Sequence, residues 1–377
     1  MRKSVLLAFV VLALAASGCG SGGSSSSAKK SRGHVNVGRL QIVDISHPAH
    51  GPNGEPPTSA NDVTLSSADV QNLKSKHYTA AFLWAGSGDW YNAVSAGALA
   101  RFKQLGVPVV AKTSAEFDPG KQANDVESAM AKKPNIILTL PVDPVAGASA
   151  FRPAVKSKTV IVFADNGING YKAGSEYQSI VTSSHYEMGE AAAELMNKAL
   201  GGHGKIGIIE YDTDFYVTNQ RDDAFYTAIK KRYPGIQVVA VKGFTKENAT
   251  GSLASAMLTQ HSDLDGIYVS WDVAAEPVMD AIRSAGNTHV KVVTFDLGAT
   301  NDVDMAQGGQ FYGTVADLPY QIGYAMATVA GRKLLGMKNP PYVTVGLVKV
   351  TKANLVRGWH ESLHRNPPAQ VLKALGK

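Results

Sequence analysis

The amino-acid sequence predicts an α/β protein of two Rossmann-like lobes with parallel sheets, and three of its features point to this class. From Tyr78 onward, short β-rich runs alternate with helical segments. The β-rich runs are continuously apolar, which is typical of parallel strands covered by helices on both faces. The alternation repeats over a second unit of similar length. We therefore expect two lobes that face each other across a cleft at the carboxyl ends of their strands.

The predicted elements follow one another in two series. The strands of the first series read YTAAFLWA, VPVVAK, NIILTL, TVIVFA and QSIVT, and those of the second read KIGIIE, IQVVAVK, LDGIYVS, VKVVTF and FYGTVA. The helices between them include WYNAVSAGALARFKQLG, QANDVESAMAKK, YVTNQRDDAFYTAIKKRYPG and VAAEPVMDAIRSAG. Several end near a glycine, such as Gly106, Gly235 and Gly286, which is a common helix stop. A long last helix, YQIGYAMATVAGRKLLG, and a late strand, VTVGLVKV, complete the second series.

The chain begins with a predicted signal peptide over residues 1–18. Arg2 and Lys3 precede the apolar stretch from Val5 to Ala16, and small residues follow it. This order of a basic segment, a short apolar segment and small residues is typical of secretory signals. The apolar segment is too short to span a bilayer comfortably.

Cys19 is the sole cysteine of the 377 residues, which excludes an intramolecular disulfide and a cysteine metal cluster. It follows Ala16-Ser17-Gly18, and this junction resembles the lipobox of bacterial lipoproteins. The resemblance implies cleavage before Cys19 and a lipid anchor on its thiol; the alternative is a soluble secreted protein. The stretch GSGGSSSSAKK that follows has the composition of a flexible tether.

Residues 28–77 are rich in Pro, Ser and Asn without a sustained period, so we expect an extended arm. One short helix is predicted within it at SSADVQNLKSK, after a serine cap. The formal net charge of the full chain is +6, without a Lys/Arg block or a basic-aromatic stripe. Nucleic-acid binding is therefore not predicted, and the spare positive charge suits a position beside an anionic membrane.

The turn in AAFLWAGSGDW raises the question of a nucleotide-phosphate loop. A dinucleotide fingerprint requires a third glycine, where this chain has Tyr91, and an acid after the second strand, which here ends in Lys112. The alternative is a binding turn in which Trp84, Trp90 and Tyr91 offer flat apolar surfaces to a sugar ring. Each of these aromatic residues could equally be a core residue.

Acidic residues recur directly after predicted strands. They are Asp143, Asp165, Asp272, Asp296 and Asp317. Any one of them could simply cap the next helix, but together they lie on the edge where α/β sheets bind ligands. Arg221, one turn into a helix, could donate forked hydrogen bonds to ring and hydroxyl oxygens, or pair with Asp222 or Asp223 at the surface.

One enzyme-like motif is present near the end of the chain. His360-Glu361-Ser362-Leu363-His364 has the H-E-x-x-H spacing of zinc peptidases, which place both imidazoles on one helix face. A downstream third ligand is missing, since RNPPAQVLKALGK contains no His, Asp or Glu. The motif also follows the last predicted strand, far from the predicted cleft. We interpret it as coincidence and predict no catalytic residue, no metal and no cofactor.

Residues 78 to about 356 resemble the periplasmic sugar-binding proteins of the ribose-binding type, which supply ABC transporters. The segments that carry the resemblance are DPGKQANDVESAMAKKPNIILTLPVDP, IVTSSHYEMGEAAAELM, NQRDDAF, TFDLG and VADLPYQIGYAM. The resemblance implies the type I periplasmic binding protein fold, whose lobes are joined by a three-segment hinge. We expect the three crossings near Ser183, Asp317 and Tyr342.

The resemblance also implies a set of ligand-binding residues. By position these are Trp90, Tyr91, Asp165, Asn166, Arg221, Trp271, Asp272, Asp296 and Asp317. Asn166 stands where a ribose-type protein has arginine, Trp271 where it has asparagine, and Asp317 where it has glutamine. Ser184 replaces the acid of the crossover segment. These departures imply a pocket that is more acidic and more aromatic than a ribose site.

The implied domain organisation assigns every residue after the signal peptide. Residues 19–77 form the lipidated cysteine, tether and arm; 78–183 plus 317–341 form the N-terminal lobe; 184–316 plus 342–356 form the C-terminal lobe; and 357–377 form a tail. The implied function is a monomeric, exported receptor, held at the outer face of the cell membrane or in the periplasm. It captures a sugar or polyol by hinge closure and delivers it to an ABC permease. The alternative is a sensing lobe for a histidine kinase or chemoreceptor.

Overall fold

The structure is a computed structural model that describes residues 36–377, and this part of the chain folds into two α/β lobes. The predicted signal peptide, Cys19 and the tether lie outside the described residues. Among residues 36–377, none of the helices is both long and apolar enough to cross a bilayer.

Within the described range, the first lobe contains a seven-stranded sheet in which all neighbouring strands are parallel. Its strands are β1 (Thr58–Ser59), β2 (Ala80–Trp84), β3 (Val109–Ser114), β4 (Ile136–Thr139), β5 (Val160–Ala164), β6 (Ile180–Ser183) and β12 (Tyr342–Val345). Their order across the sheet is β1-β12-β6-β5-β4-β2-β3. Every residue of β2 is buried, because helices cover both faces of the sheet.

The helices of the first lobe are α1 (Ser67–Lys74), α2 (Asp89–Leu105), α3 (Pro119–Met130), α4 (Ala146–Ala150), α5 (Arg152–Lys156) and α11 (Pro319–Leu334). Local sequence explains where they begin and end. Ser66 and Asp69 form a reciprocal capping box at the start of α1. The Asp118 carboxylate accepts from the Lys121 amide at 2.8 Å, and Pro119 occupies the first turn of α3. Gly106 ends α2 in the left-handed conformation, as predicted.

In the same described range, the second lobe contains a six-stranded sheet. Its strands are β7 (Gly204–Tyr211), β8 (Ile236–Phe244), β9 (Gly266–Val269), β10 (Lys291–Phe295), β11 (Phe311–Asp317) and β13 (Leu347–Thr351). Their order is β13-β11-β10-β9-β7-β8, with β13 antiparallel to β11 and the other neighbours parallel. The helices are α6 (His185–Ala199), α7 (Tyr216–Arg232), α8 (Thr250–Gln260), α9 (Asp272–Ser284), α10 (Ala299–Gln307), α12 (Leu355–Leu363) and α13 (Ala369–Ala374). Short 3-10 helices lie at Glu247–Ala249 and Lys352–Asn354 in this lobe, and another lies at Ala60–Asp62 beside the first sheet.

The predicted fold class is confirmed, and two of the expected crossings lie where they were predicted. The chain passes between the lobes after Ser183 and again after Asp317. The third crossing lies at Gly346, slightly later than the expected position near Tyr342, because Tyr342–Val345 pairs with Ile180–Ser183 in the first sheet. The run VTVGLVKV is two strands divided at Gly346. Its first two valines pack into the first core and its last two into the second.

The predicted arm is partly a component of the lobes. The segment 36–57, which we call the strap, lies along the second lobe at its start and reaches the first lobe at its end. Leu40 and Ala49 are buried along it. Strand β1 then joins the edge of the first sheet beside β12, and α1 contributes Leu73 to the first core.

The predicted tail 357–377 is also part of a core, which corrects the sequence-based expectation. Trp359, Leu363 and Val371 are buried in the second lobe. The Trp359 indole N–H donates to the buried Asp302 carboxyl at 2.7 Å. Burial raises the pKa of Asp302 to about 8, although this hydrogen bond opposes the shift. The C-terminal helices therefore complete the layer of helices on that face of the second sheet.

Candidate functional site

A cleft lies between the lobes at the carboxyl ends of their parallel strands and encloses about 800 Å³, mouth included. It brings together most of the residues predicted from the sequence: Trp90, Tyr91, Asp165, Arg221, Trp271, Asp272, Asp296 and Asp317.

The turn that opens α2 places two aromatic side chains at the cleft. The Trp90 and Tyr91 rings meet edge to face at 5.0 Å. A Cβ atom at Gly86 would lie 2.8 Å from the Tyr91 and Phe117 rings, so the turn needs glycine there to let the aromatic wall close. The turn is thus shaped around aromatic rings. Trp84, in contrast, is a fully buried core residue.

Asp165 reaches the cleft from the end of β5 and is 7% exposed. The Thr182 hydroxyl donates to its Oδ1 at 2.6 Å and lies 2.8 Å from the His185 Nε2 atom. Burial raises the pKa of Asp165 to about 6, with the Thr182 hydrogen bond and Arg221 opposing the shift. Burial, together with Arg221, lowers the pKa of His185 to about 3, so its imidazole is neutral.

Arg221 projects from α7 and is 6% exposed. Its Nη2 donates to the Ser270 carbonyl at 3.0 Å, its Nη1 lies 3.8 Å from the Asp296 carboxylate, and its guanidinium stacks over the Phe295 ring at 4.5 Å. Its Nε is buried without a hydrogen-bond partner among the described residues. The pairing that was considered with Asp222 or Asp223 does not occur, because Arg39 contacts both of those acids.

Two of the cleft acids have a strained backbone. Asp165 has a φ of 57° and Asp296 a φ of 67°, in the left-handed region that β-carbons disfavour. Both follow the last residue of a parallel strand, β5 and β10. Strain of this kind concentrates at functional positions, because only a surrounding structure that fixes the residue can maintain it.

The remaining predicted acids lie close to one another. The Trp90 indole N–H donates to both Asp317 oxygens, at 3.1 and 3.0 Å. Burial, followed by the neighbouring Asp296 and Asp165 carboxyls, raises the pKa of Asp317 well above its usual value. Burial, followed by Asp296, likewise raises the pKa of Asp272. Both shifts mean that the charged form of these carboxyls is less favourable in the cleft than it is in water.

Several residues that sequence reasoning missed also line the cleft. Glu247 accepts from the Trp271 indole N–H at 2.6 Å, and burial raises its pKa. The missed aromatic residues are Phe117, Tyr211 and Phe215. Tyr211 ends β7, so the strand-end rule that identified the aspartates would have found it had it been applied to aromatic residues.

Two other acidic or polar positions lie away from the cleft wall. Asp143 stabilises the turn before α4, since its Oδ1 accepts from the Val145 and Ala146 amides at 2.8 and 2.6 Å. Asn166 directly follows Asp165, yet it lines a neighbouring cavity. The left-handed backbone of Asp165 turns the chain at this point, and successive side chains then face different spaces.

The H-E-x-x-H motif does not bring its histidines to a shared site. His360 Nε2 lies 2.6 Å from the Asn366 Oδ1 atom. His364 follows the end of α12 with a φ of 52° and stacks on Tyr320 at 3.7 Å. Over residues 36–377, no group of three or more His, Cys, Asp or Glu is arranged to hold a metal ion.

The arrangement suits binding of a compact ligand with hydroxyl groups and apolar faces. Aromatic rings from both lobes can cover the C–H faces of a ring, and carboxyl and guanidinium groups can bond its hydroxyls. An anionic ligand would be opposed by the acids around Arg221, because like charges repel strongly in an enclosed site.

Comparisons with known proteins identify the family of the chain. The family model of the periplasmic binding protein domain matches residues 80–338. The ribose import binding protein of Salmonella typhimurium is 23% identical over 295 residues, covering 78% of this chain and 97% of that protein. The D-allose-binding periplasmic protein of Escherichia coli is 27% identical over 227 residues, covering 59% and 73%.

Solved structures show the same architecture. A carbohydrate transporter solute-binding protein from Agrobacterium radiobacter, in complex with D-arabinose, superposes with a TM-score of 0.66 at 27% identity, covering 77% of this chain and 99% of that chain. An ABC transporter solute-binding protein from Agrobacterium vitis, bound with α-D-tagatopyranose, superposes with a TM-score of 0.68 at 24% identity, covering 74% and 96%.

Proposed function

This chain belongs to the family of the periplasmic binding protein domain, and we propose that it is the solute-binding receptor of an ABC importer for a sugar or polyol. Its relatives are solute-binding proteins of sugar ABC transporters, which are binding proteins and not enzymes. The observation that carries the proposal is the cleft, in which aromatic rings from both lobes surround a set of strand-end carboxyls and a buried arginine.

The proposed binding mode uses each side of the cleft for a different part of the ligand. Trp90 and Tyr91 from the first lobe and Trp271 from the second cover the apolar ring faces. Arg221 and the carboxyls of Asp165, Asp296, Asp272 and Asp317 bond the hydroxyl groups. Two or three charge-assisted hydrogen bonds of about 1.5–3 kcal/mol each are sufficient for affinity in the micromolar range.

Capture then proceeds by closure of the lobes about the chain crossings. The crossings after Ser183 and Asp317 are short, so a change of backbone angles there rotates one lobe against the other. The closed, ligand-loaded receptor is offered to a membrane permease. The ligand leaves the receptor chemically unchanged, and the receptor acts as a monomer.

The receptor is exported and held at the membrane through a lipid on Cys19, a residue outside the described range. The support is its position after a signal-like segment and before a Gly/Ser-rich tether. Cys19→Ser should release the protein from the membrane fraction or leave the signal uncleaved. Membrane association of this variant equal to that of the unmodified protein would contradict the anchor.

A thermal-shift screen tests the ligand class. The panel comprises neutral sugars and polyols, amino sugars, and sugar phosphates with uronic acids. A ligand at a hundredfold its dissociation constant stabilises the folded state by about 2.7 kcal/mol, which is readily measured. We expect the strongest stabilisation from neutral compounds, weaker effects from amino sugars, and none from the anions. Stabilisation by anionic sugars alone would contradict the proposed cleft chemistry.

A further inference from the structure

The strap forms one wall of a second cavity, which we call the strap chamber. Pro52 lies 3.6 Å from the position of a Cβ atom at Gly167, so the strap packs over the loop that follows β5. On the opposite side, the Tyr216 hydroxyl donates to the His50 carbonyl, and the Gln220 Nε2 donates to the same carbonyl at 3.4 Å. The chamber encloses about 990 Å³, mouth included, and has both lobes and the strap as walls.

The chamber is lined by amide side chains with unused hydrogen-bonding capacity. Asn166 is 3% exposed, and neither its Oδ1 nor its Nδ2 has a partner among the described residues. Asn219 Oδ1 and Gln220 Oε1, on α7, are buried at the same chamber and also have no partner within residues 36–377. Buried polar atoms are almost always paired in folded proteins, so three such amides around one space indicate a group that bonds them there.

The chamber adjoins the cleft along two elements. On the loop after β5, Asp165 faces the cleft and the next residue, Asn166, faces the chamber. On α7, Thr218 and Arg221 line the cleft, and Asn219 and Gln220 line the chamber. The cleft and the chamber are therefore adjacent, because consecutive residues of these two elements line one space and then the other.

The chemistry of the chamber wall favours a neutral ligand with hydroxyl groups. Among the described residues that line it, none is lysine or arginine, and Asp214 and Asp223 are acidic. An anion would find no cationic partner there. Amides both donate and accept, which matches the two roles of a hydroxyl group, and Tyr177 and Ile168 add apolar surface.

We propose that the strap chamber is a second subsite for a neutral polyhydroxyl unit. This proposal rests on the proposed function. The unit is either the second ring of a disaccharide whose first ring occupies the cleft, or a separate small polyol. Both sources share the hydroxyl chemistry that the amides can recognise.

Titration calorimetry on the full chain separates these cases. The probes are the monosaccharides D-ribose, D-glucose and D-galactose, the disaccharides maltose, lactose and melibiose, and glycerol. Asn219→Leu removes a chamber amide at nearly constant volume. Asn197→Leu is the matched control, because Asn197 is also a half-buried helical asparagine and lies on α6, outside both cavities.

We expect at least one disaccharide to bind more tightly than its component monosaccharide, and Asn219→Leu to weaken it about tenfold, with the monosaccharide changed less than about twofold. A second equivalent of glycerol or monosaccharide that Asn219→Leu removes would support the separate-polyol form. If every probe binds at one equivalent, and with the same affinity to the unmodified protein and to Asn219→Leu, the second subsite is contradicted and the proposed function remains intact. Failure of the unmodified protein to bind any carbohydrate would overturn both.

Discussion

Two clusters of buried and half-buried acids lie on either side of α7, and they differ in what neutralises them. The strap cluster consists of Glu210, Asp222 and Asp223 around Arg39. The cleft cluster consists of Asp165, Asp272, Asp296 and Asp317 near Arg221. Arg221 and Asp222 are consecutive residues, yet one serves the cleft and the other the strap.

In the strap cluster, the fully buried Asp222 carboxylate is closely paired, whereas the Glu210 Oε2 atom is buried without a hydrogen-bond partner among the described residues. Arg39 Nη2 lies 2.7 Å from the Asp222 carboxylate, and its Nε donates to the Tyr211 carbonyl at 2.9 Å. Tyr268 and Ser270 donate further hydrogen bonds to Asp222, at 2.6 and 2.8 Å. The bond from Arg39 ties the strap to the second lobe. This cluster is therefore structural.

The cleft cluster is not satisfied in the same way. The approach of Arg221 to Asp296 is 3.8 Å, a loose ion pair, and Asp296 Oδ1 is buried without a partner among the described residues. The carboxyls surround open space, where a ligand can supply the missing hydrogen bonds. The two clusters thus differ in how closely an arginine approaches an aspartate. Arg39 lies 2.7 Å from Asp222, whereas Arg221 lies 3.8 Å from Asp296.

We expect the largest effect on stability from Arg39→Met, which tests the strap cluster. The substitution leaves the buried Glu210 and Asp222 carboxyls without their cation, and loss of one partner from a buried ion pair costs about 3–5 kcal/mol. We expect the free energy of unfolding, measured by urea titration, to fall by this amount. The control Arg357→Met breaks an exposed pair with Glu361 and should cost less than about 1 kcal/mol. Equal losses in the two variants would remove the structural role of the strap cluster.

Asp296→Asn tests whether the cleft cluster binds the ligand. The amide keeps the shape of the side chain but removes the charged acceptor, so binding of a neutral sugar should weaken by about 2 kcal/mol. Stability should change by less than about 1 kcal/mol, because the contact of the Asp296 carboxylate with Arg221 is a loose ion pair at 3.8 Å. Calorimetric titration and urea unfolding of the same variant measure the two effects. A large loss of stability with unchanged affinity would reverse the assignment of the clusters.

The strap cluster could not be predicted from the sequence, although much of the fold and of the cleft could. The order of strands and helices was predictable because apolar runs and helix caps are local signals. Most of the cleft was predictable because strand-end residues of parallel sheets converge on one edge. Arg39 and Asp222 are 183 residues apart in sequence, and no local pattern connects them.

Three features that the sequence did not reveal have similar physical causes. The run VTVGLVKV has uniform β character, so nothing local shows that its halves enter different sheets at Gly346. Asn166 follows a predicted cleft residue, but the left-handed turn at Asp165 directs its side chain elsewhere. Glu247 begins a short 3-10 helix after β8, and its approach to Trp271 depends on how α8 and α9 pack.

A smaller effect is expected in the pH dependence of stability. Burial raises the pKa of Asp165 to about 6 in the folded chain, above its unfolded value near 4. The folded state therefore binds this proton more tightly, and the contribution is present at low pH and lost as the pH rises through 6. Asp165→Asn removes the contribution, so between pH 5 and 7.5 the variant should lose about 1 kcal/mol less stability than the unmodified protein. Urea titrations at the two pH values measure this, with the exposed Asp62→Asn as control. Parallel slopes for all three proteins would contradict a buried, protonatable Asp165.

The smallest effect is expected from Asp317→Gln, which introduces the residue that ribose-type proteins have at this position. The glutamine carbonyl can still accept from the Trp90 indole N–H, so the contact between α2 and the end of β11 persists. The side chain loses one acceptor and gains an N–H₂ donor, and a hydroxyl that donated to the carboxyl must now accept. Affinities for different neutral sugars should therefore change relative to one another by less than about tenfold, because a change of one neutral hydrogen bond is worth about 1 kcal/mol. Asp317→Leu, which offers no acceptor to the indole, should instead weaken every sugar that binds, because the Trp90 ring loses the bond that orients it. Calorimetry across the same sugar panel compares the two variants. If both change all affinities by the same factor, Asp317 positions Trp90 without contacting the ligand, and the cleft cluster is then smaller than the comparison with the strap cluster implies.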